Sequence, residues 1–138
     1  MEKPMNDLNS QPGYEHLLYE TYDGGTIVRV ILNRTKYRNA QHRPLLEELD
    51  HAFMRAEADD TVRVVILSGA GTMFSSGHDM GTPEHYAERD PGPDQVLSRR
   101  TRGGSRLGAE ARMLQEWHYF FENTRRWRSL RKITIAQV

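Results

Sequence analysis

Cysteine is absent from the 138 residues. Its absence excludes a disulfide framework, a thiol nucleophile and thiolate metal ligands, and a reducing cytoplasm is the default setting for such a chain. No apolar run approaches the roughly 20 residues needed to cross a bilayer. The polar opening MEKPMNDLNSQPG lacks the apolar stretch of a secretory signal. These features predict a soluble, cytoplasmic protein with no membrane partner. Net charge is missing as well, because 19 Lys and Arg balance 19 Asp and Glu, so the balance argues for no nucleic-acid partner and no acidic tail. Hydrophobic residues make up 37% of the chain, below the globular average but enough for the core of one domain or part of one.

Residues 1–13 carry Pro, Asn, Ser and Gly without periodicity and read as a disordered tail. Folding is expected from Tyr14 onward. His16 to Tyr22 and Thr26 to Leu32 are rich in β-branched and aromatic residues, and Asp23-Gly24-Gly25 supplies turn chemistry between them, so the pair predicts a β-hairpin. Leu45, Leu46, Leu49, Ala52, Phe53 and Ala56 recur at helical spacing, with Glu47, Glu48, Asp50 and Arg55 between them. This pattern predicts a helix from about Gln41 to Glu57 with one buried stripe. Val62 to Leu67 is a short, nearly continuous apolar run suited to a buried strand, and strand, helix, strand implies a right-handed crossover.

The loop SGAGTMFSSGHDM follows that strand directly, where binding groups are often placed. From Gly81 to about Arg106 the composition turns to Pro, Gly and Arg, and the segment reads as a flexible insertion. A helical pattern follows, with Met113, Trp117, Phe120, Thr124 and Trp127 on one stripe and Leu107, Ala111, Leu114 and Phe121 beside it. Ile133 to Val138 begins another strand. The fold class is therefore α/β.

Several chemistries suggest themselves around this loop and fail on geometry or spacing. Ser76, His78 and Asp79 are the residue types of a hydrolytic triad, but neighbours in one tight loop rarely converge as nucleophile, base and orienter. His78, Asp79, Glu84 and His85 lack the helical histidine spacing of a metal site, so no metal is expected. Ser68-Gly69-Ala70-Gly71 lacks the third glycine of a dinucleotide fingerprint. Arg99, Arg100, Arg102 and Arg106 have no interleaved aromatics for base stacking, which favours a solvated insertion over a nucleic-acid contact.

Three segments, ILNRTKYRNA (Ile31 to Ala40), VVILSGAGTMFSSGHDM (Val64 to Met80) and KITIAQV (Lys132 to Val138), together resemble the crotonase superfamily, the enoyl-CoA hydratase/isomerase family. Their order and separation match the N-terminal half of that family. Thr35 stands where the family pattern LNRP has proline, Ser76 stands for the alanine of F-S/C-A-G-x-D-L, and Met80 stands for its leucine. The resemblance implies an incomplete crotonase-like ββα superhelix over residues 14–138, interrupted by the insertion.

By this resemblance a thioester carbonyl is polarised by two backbone N–H groups, which stabilise the enolate-like oxyanion. The first donor is assigned to Ser76. Gly77, His78 and Asp79 are expected to line the coenzyme A site through their backbone, and Lys36 or Arg38 to approach the phosphates. Coenzyme A thioesters would be substrates, with no separate cofactor. Hydratases of the family add water to 2-enoyl-CoA thioesters in fatty-acid β-oxidation. They draw a second oxyanion donor and two acid/base glutamates from positions beyond KITIAQV, so the 138 residues alone are expected to be inactive, poorly stable or dependent on a partner. The alternatives are a non-catalytic relative that only binds, or another family reaction such as isomerisation or hydrolysis. A completed chain would assemble as a trimer or hexamer.

Overall fold

In the computed structural model, residues 13–89 and 109–138 are described. The expected tail, apart from Gly13, and most of the expected insertion lie outside them.

Among the described residues the chain builds a four-stranded sheet in the order β1-β2-β3-β4. Strands β1 (Leu17–Tyr22) and β2 (Ile27–Leu32) form the hairpin, antiparallel, with Leu17 opposite Leu32 and Tyr22 opposite Ile27. The turn between them runs through positive φ at Asp23, Gly24 and Gly25 (51°, 65° and 90°). Glycine and aspartate adopt this region at little cost. Thr26 locks the turn by donating from Oγ1 to the Asp23 carbonyl and carboxylate at 2.9 and 3.0 Å. Helix α1 (Arg43–Ala58) then leads to β3 (Val64–Gly69), which pairs parallel to β2. Strand β4 (Ile133–Ala136) adds parallel to β3 on its far side.

Alternation along the strands decides which side is covered. Val28, Val30, Leu32 and Val65 point to the face under α1 and pack in one buried cluster with Leu45, Leu46, Leu49, Ala52, Phe53 and Ala56. Each fully buried Leu or Val contributes about 1.5–3 kcal/mol of transfer free energy, so this one helix–sheet layer supplies most of the core. On the opposite face, the register stacks Leu18, Tyr22, Ile133 and Ile135 with Ile27, Ile31, Val64 and Ile66. The first four of these are 42%, 45%, 63% and 47% exposed.

Part of the expected insertion is helical, because Pro83–Arg89 forms α2. Thr82 caps it by accepting the His85 N–H on Oγ1 at 3.2 Å. The C-terminal helical pattern is real but not uniform. Helix α3 (Ala109–Glu116) passes into a π-helical turn (Trp117–Glu122) and then α4 (Asn123–Arg128). The wider turn closes a bond from the Asn123 N–H to the His118 carbonyl, five residues back instead of four, and so changes the phase of the helix. The expected stripe is therefore corrected. Gln115, His118, Tyr119, Asn123 and Trp127 are buried, whereas Met113, Trp117 and Phe121 are exposed.

Polar positions of α1 anchor neighbouring segments. Asp50 is 6% exposed and accepts hydrogen bonds on Oδ1 from Arg126 at 2.6 and 3.1 Å and from the Trp127 indole at 2.9 Å. Glu47 accepts from the Tyr119 hydroxyl at 2.7 Å, and Glu48 accepts the backbone N–H groups of Glu15 and His16. No helix of the described residues is long and apolar enough to cross a membrane.

Candidate functional site

The loop after β2 and the loop after β3 meet because one buried side chain joins them. Asn39 is fully buried and sits at φ 56°, next to Arg38 at 53°, in the left-handed region that asparagine tolerates better than most residues. Its Oδ1 accepts the Arg34 N–H at 2.9 Å. Its Nδ2 donates to the carbonyls of Ala70 and Met73 at 2.9 Å and of Phe74 at 3.1 Å. The β3 loop must fold tightly to present these carbonyls together. At Gly69 an added Cβ would fall 2.4 Å from the Phe74 carbonyl oxygen, so no larger residue fits there. Thr35, in the position where the family pattern has proline, occupies the space beside Gly71.

Ser75 extends the junction. Its hydroxyl donates to the Asn39 carbonyl at 2.8 Å and accepts from the Gly77 N–H at 3.0 Å and the Gln41 side-chain amide at 3.3 Å. Gln41 and His78 form an isolated parallel bridge. Gln41 donates its N–H to the Gly77 carbonyl at 2.7 Å and accepts the Asp79 N–H at 2.9 Å. In an extended segment, successive N–H and C=O groups alternate in direction. The bridge holds Gly77 C=O and Asp79 N–H toward Gln41, and so turns His78 N–H away from it.

The backbone donors of this loop therefore divide. Ser76, the residue assigned as oxyanion donor from the sequence, gives its N–H to the Arg38 carbonyl at 3.0 Å. Polarising a thioester through this N–H would require breaking that bond. Gly77 and Asp79 are likewise committed, to Ser75 and Gln41. The His78 N–H has no hydrogen-bond partner among the described residues. Gly77, at φ 92° with nothing within 4 Å of an added Cβ, faces open space at this point of the loop.

The Asp79 carboxylate is 2% exposed and is held by four donors. Arg34 reaches Oδ2 at 2.7 Å, the Thr82 hydroxyl binds the same oxygen, and the N–H groups of Thr82 and Gly81 reach Oδ1 at 3.0 and 3.2 Å. Burial opposes its charge, but the hydrogen bonds from Thr82, Arg34 and Gly81 outweigh burial and hold the carboxyl well below the usual carboxylate range. This side chain anchors the loop and is not presented to a ligand. Arg34, itself 6% exposed, also donates to the Ala40 carbonyl at 2.9 Å and to the Thr82 hydroxyl at 3.2 Å.

Arg34 and Asn39 were not singled out from the sequence. Their signal was present as the Arg and Asn of the LNR and NA motif. Lys36 and Arg38 are both exposed on the same loop. Hydrogen bonding to Tyr37 raises the Lys36 amine above its ordinary value. His42, just before α1, is 4% exposed, and burial, helped by the Arg34 charge and by His16, lowers its pKa to about 4. Among the described residues, no group of three or more His, Cys, Asp or Glu is placed to hold a metal ion.

The family model described as enoyl-CoA hydratase/isomerase matches residues 23–102. EchA13 of Mycobacterium tuberculosis, an enoyl-CoA hydratase by name, is 59% identical over 125 residues, covering 91% of this chain and 39% of that protein. A Mycobacterium smegmatis structure named as an enoyl-CoA hydratase superposes with a TM-score of 0.67 at 31% identity, over 90% of this chain and 41% of that one. An enoyl-CoA hydratase/isomerase structure from Xanthobacter autotrophicus Py2 does so with 0.67 at 33% identity, over 91% and 39%. The chain thus spans about two-fifths of the length of these relatives. Its β2 and β3 loops lie within the matched segment, its sheet and helices follow the crotonase fold, and the chain belongs to the enoyl-CoA hydratase/isomerase family.

Proposed function

We propose that this chain carries the coenzyme A thioester-binding part of an acyl-CoA-transforming protein, with the His78 N–H as donor to the thioester carbonyl oxygen. The observation that supports this reading is the unclaimed His78 N–H in a loop whose neighbouring donors at Ser76, Gly77 and Asp79 are all committed. A fixed donor facing the oxygen where charge develops is worth about 2.7–4 kcal/mol of transition-state stabilisation. Lys36 and Arg38 stand as the phosphate-side cations, and the coenzyme A thioester is the substrate, with no separate cofactor. Within the family the reading favours hydration of a 2-enoyl thioester in a cytoplasmic protein that assembles as a trimer or hexamer when its full length is present.

The test is a titration of the nitrogen-15-labelled chain with crotonyl-CoA and, separately, with free coenzyme A. Shifts at Lys36, Arg38 and Gly77 with both ligands, and at the His78 amide with the thioester alone, are the expected result. An unmoved His78 amide at saturating crotonyl-CoA would rule out its role as donor.

A second reading, binding without turnover, is favoured by the Asp79 carboxylate. It is fully engaged with Arg34, Thr82 and Gly81 and offers no acid or base to a substrate. Loss of the conjugated thioester absorbance of crotonyl-CoA separates the two, since hydration consumes it and binding alone does not.

A further inference from the structure

Both ring nitrogens of His78 face acceptors. Nδ1 lies 2.8 Å from the Asp79 carbonyl oxygen, and Nε2 lies 2.9 Å from Glu116 Oε1. A neutral imidazole has one N–H and satisfies only one of these contacts, whereas an imidazolium donates to both. The ring is also sandwiched. Phe120 stacks on it with centroids 4.2 Å apart and planes 14° from parallel, and His85 approaches edge-on at 5.7 Å. Glu116 is the last residue of α3 and Phe120 lies in the π-helical turn, so this one ring joins the helix to the loop at the point where the helical phase changes.

We propose that His78 is a positioning residue whose doubly protonated ring clasps α3 and the π-helical turn against the loop carrying its own free N–H. The clasp itself rests only on the side-chain geometry, and its consequence for thioester binding rests on the function proposed above. The charged and titratable groups around the ring are Glu116 from α3, His85 from α2, and Asp79 from the loop, whose carboxylate is neutralised by Arg34 at 2.7 Å. Loss of one ring proton as pH rises leaves one of the two acceptors without a donor, so the ring keeps the stacking and only one of its two hydrogen bonds, to Glu116 or to the Asp79 carbonyl.

The experiment follows the His78 ring nitrogens by nitrogen-15 NMR in the full chain and its Glu116→Gln variant, between about pH 5.5 and 8.5. Two protonated ring nitrogens are expected at the acid end. Loss of the second proton should move the amides of His78 and of Glu116 to Phe120 together, and that coupled movement should be lost in Glu116→Gln. A ring with a single proton throughout, or a coupled movement unchanged in Glu116→Gln, overturns the clasp.

Crotonyl-CoA affinity over the same range tests the consequence. The partly exposed ion pair predicts about threefold tighter binding with the ring charged. That dependence should be absent in His78→Asn, which keeps the backbone N–H, and a purely structural role would change stability without producing such a pH profile. A pH-independent affinity in the unmodified chain overturns the positioning role. A clasp that titrates as described in a chain that binds no crotonyl-CoA supports the clasp and sinks the proposed function instead.

Discussion

Asn39 joins two loops through a single amide, which makes its removal costly in two separate ways. Asn39→Ala leaves the Arg34 N–H and three carbonyls without their partner, and it places a Cβ-bearing residue at φ 56° without the side-chain bonds that make that conformation tolerable. Chemical denaturation should show a loss of about 3 kcal/mol. Asn39→Gly removes the backbone strain while still losing the bonds, so it should be the milder of the two. Equal losses would mean that the left-handed conformation carries no cost here.

His42 makes a pH prediction with a definite sign. Its pKa is lowered from 6.5 to about 4, so below about pH 6.5 the unfolded chain binds a proton that the folded chain resists. Stability from this residue is fully present above that pH and is lost as pH falls toward 4. A change of this size corresponds to about 3 kcal/mol, at ~1.4 kcal/mol for each pH unit. Thermal unfolding from about pH 7 to 4 should steepen accordingly, and His42→Gln should remove that part of the slope. The loop after β3 illustrates what sequence could and could not show at this scale. The residues of the loop were legible as a motif, but whether Ser76 or His78 keeps a free N–H depends on the Ser76 bond to the Arg38 carbonyl and on the His78 bridge to Gln41, contacts between segments that spacing does not encode.

At the level of elements, the hairpin, α1 and β3 were legible because each is a local pattern: turn residues at 23–25, a helical apolar stripe, and a short β-branched run. The C-terminal helix was legible as a helix but not in its buried face. A single π-helical turn shifts the phase, and no periodicity fitted at 3.6 residues can follow it. The consequence is that α4 docks on α1 through polar groups as well as through the stacked rings of Phe53 and Trp127, 5.3 Å apart. Asp50→Ala strips the acceptor from Arg126 and from the buried Trp127 indole, and should cost about 2–3 kcal/mol. Trp127 fluorescence should report a wetter ring in that variant, whereas Asp50→Asn, which keeps an acceptor oxygen, should lose less than half as much.

At the scale of the whole molecule, the sheet has one face sealed by α1 and, among the described residues, one open face on which apolar side chains surround Glu20, Arg29 and Ser68. Tyr22, Ile27, Val64 and Ile133 form one apolar row across all four strands, and Ile66 and Ile135 widen it on β3 and β4 as far as Arg29 and Glu20. Monomeric proteins rarely leave a contiguous apolar surface of this kind uncovered, and β4 adds an exposed strand edge to it. The 138-residue chain, whose length is about two-fifths of its relatives', should therefore self-associate with rising concentration and bind an apolar dye while still folded. Ile133→Thr together with Ile135→Thr keeps β-branched residues in the strand and removes apolar surface that is already exposed. The pair should lower dye binding and association, as measured by sedimentation, while shifting stability by less than about 1 kcal/mol. Association that persists unchanged in the double variant would place the contact away from β4, and the same double-variant test then moves to the exposed patch of Met113, Trp117 and Phe121, which lies on a different element.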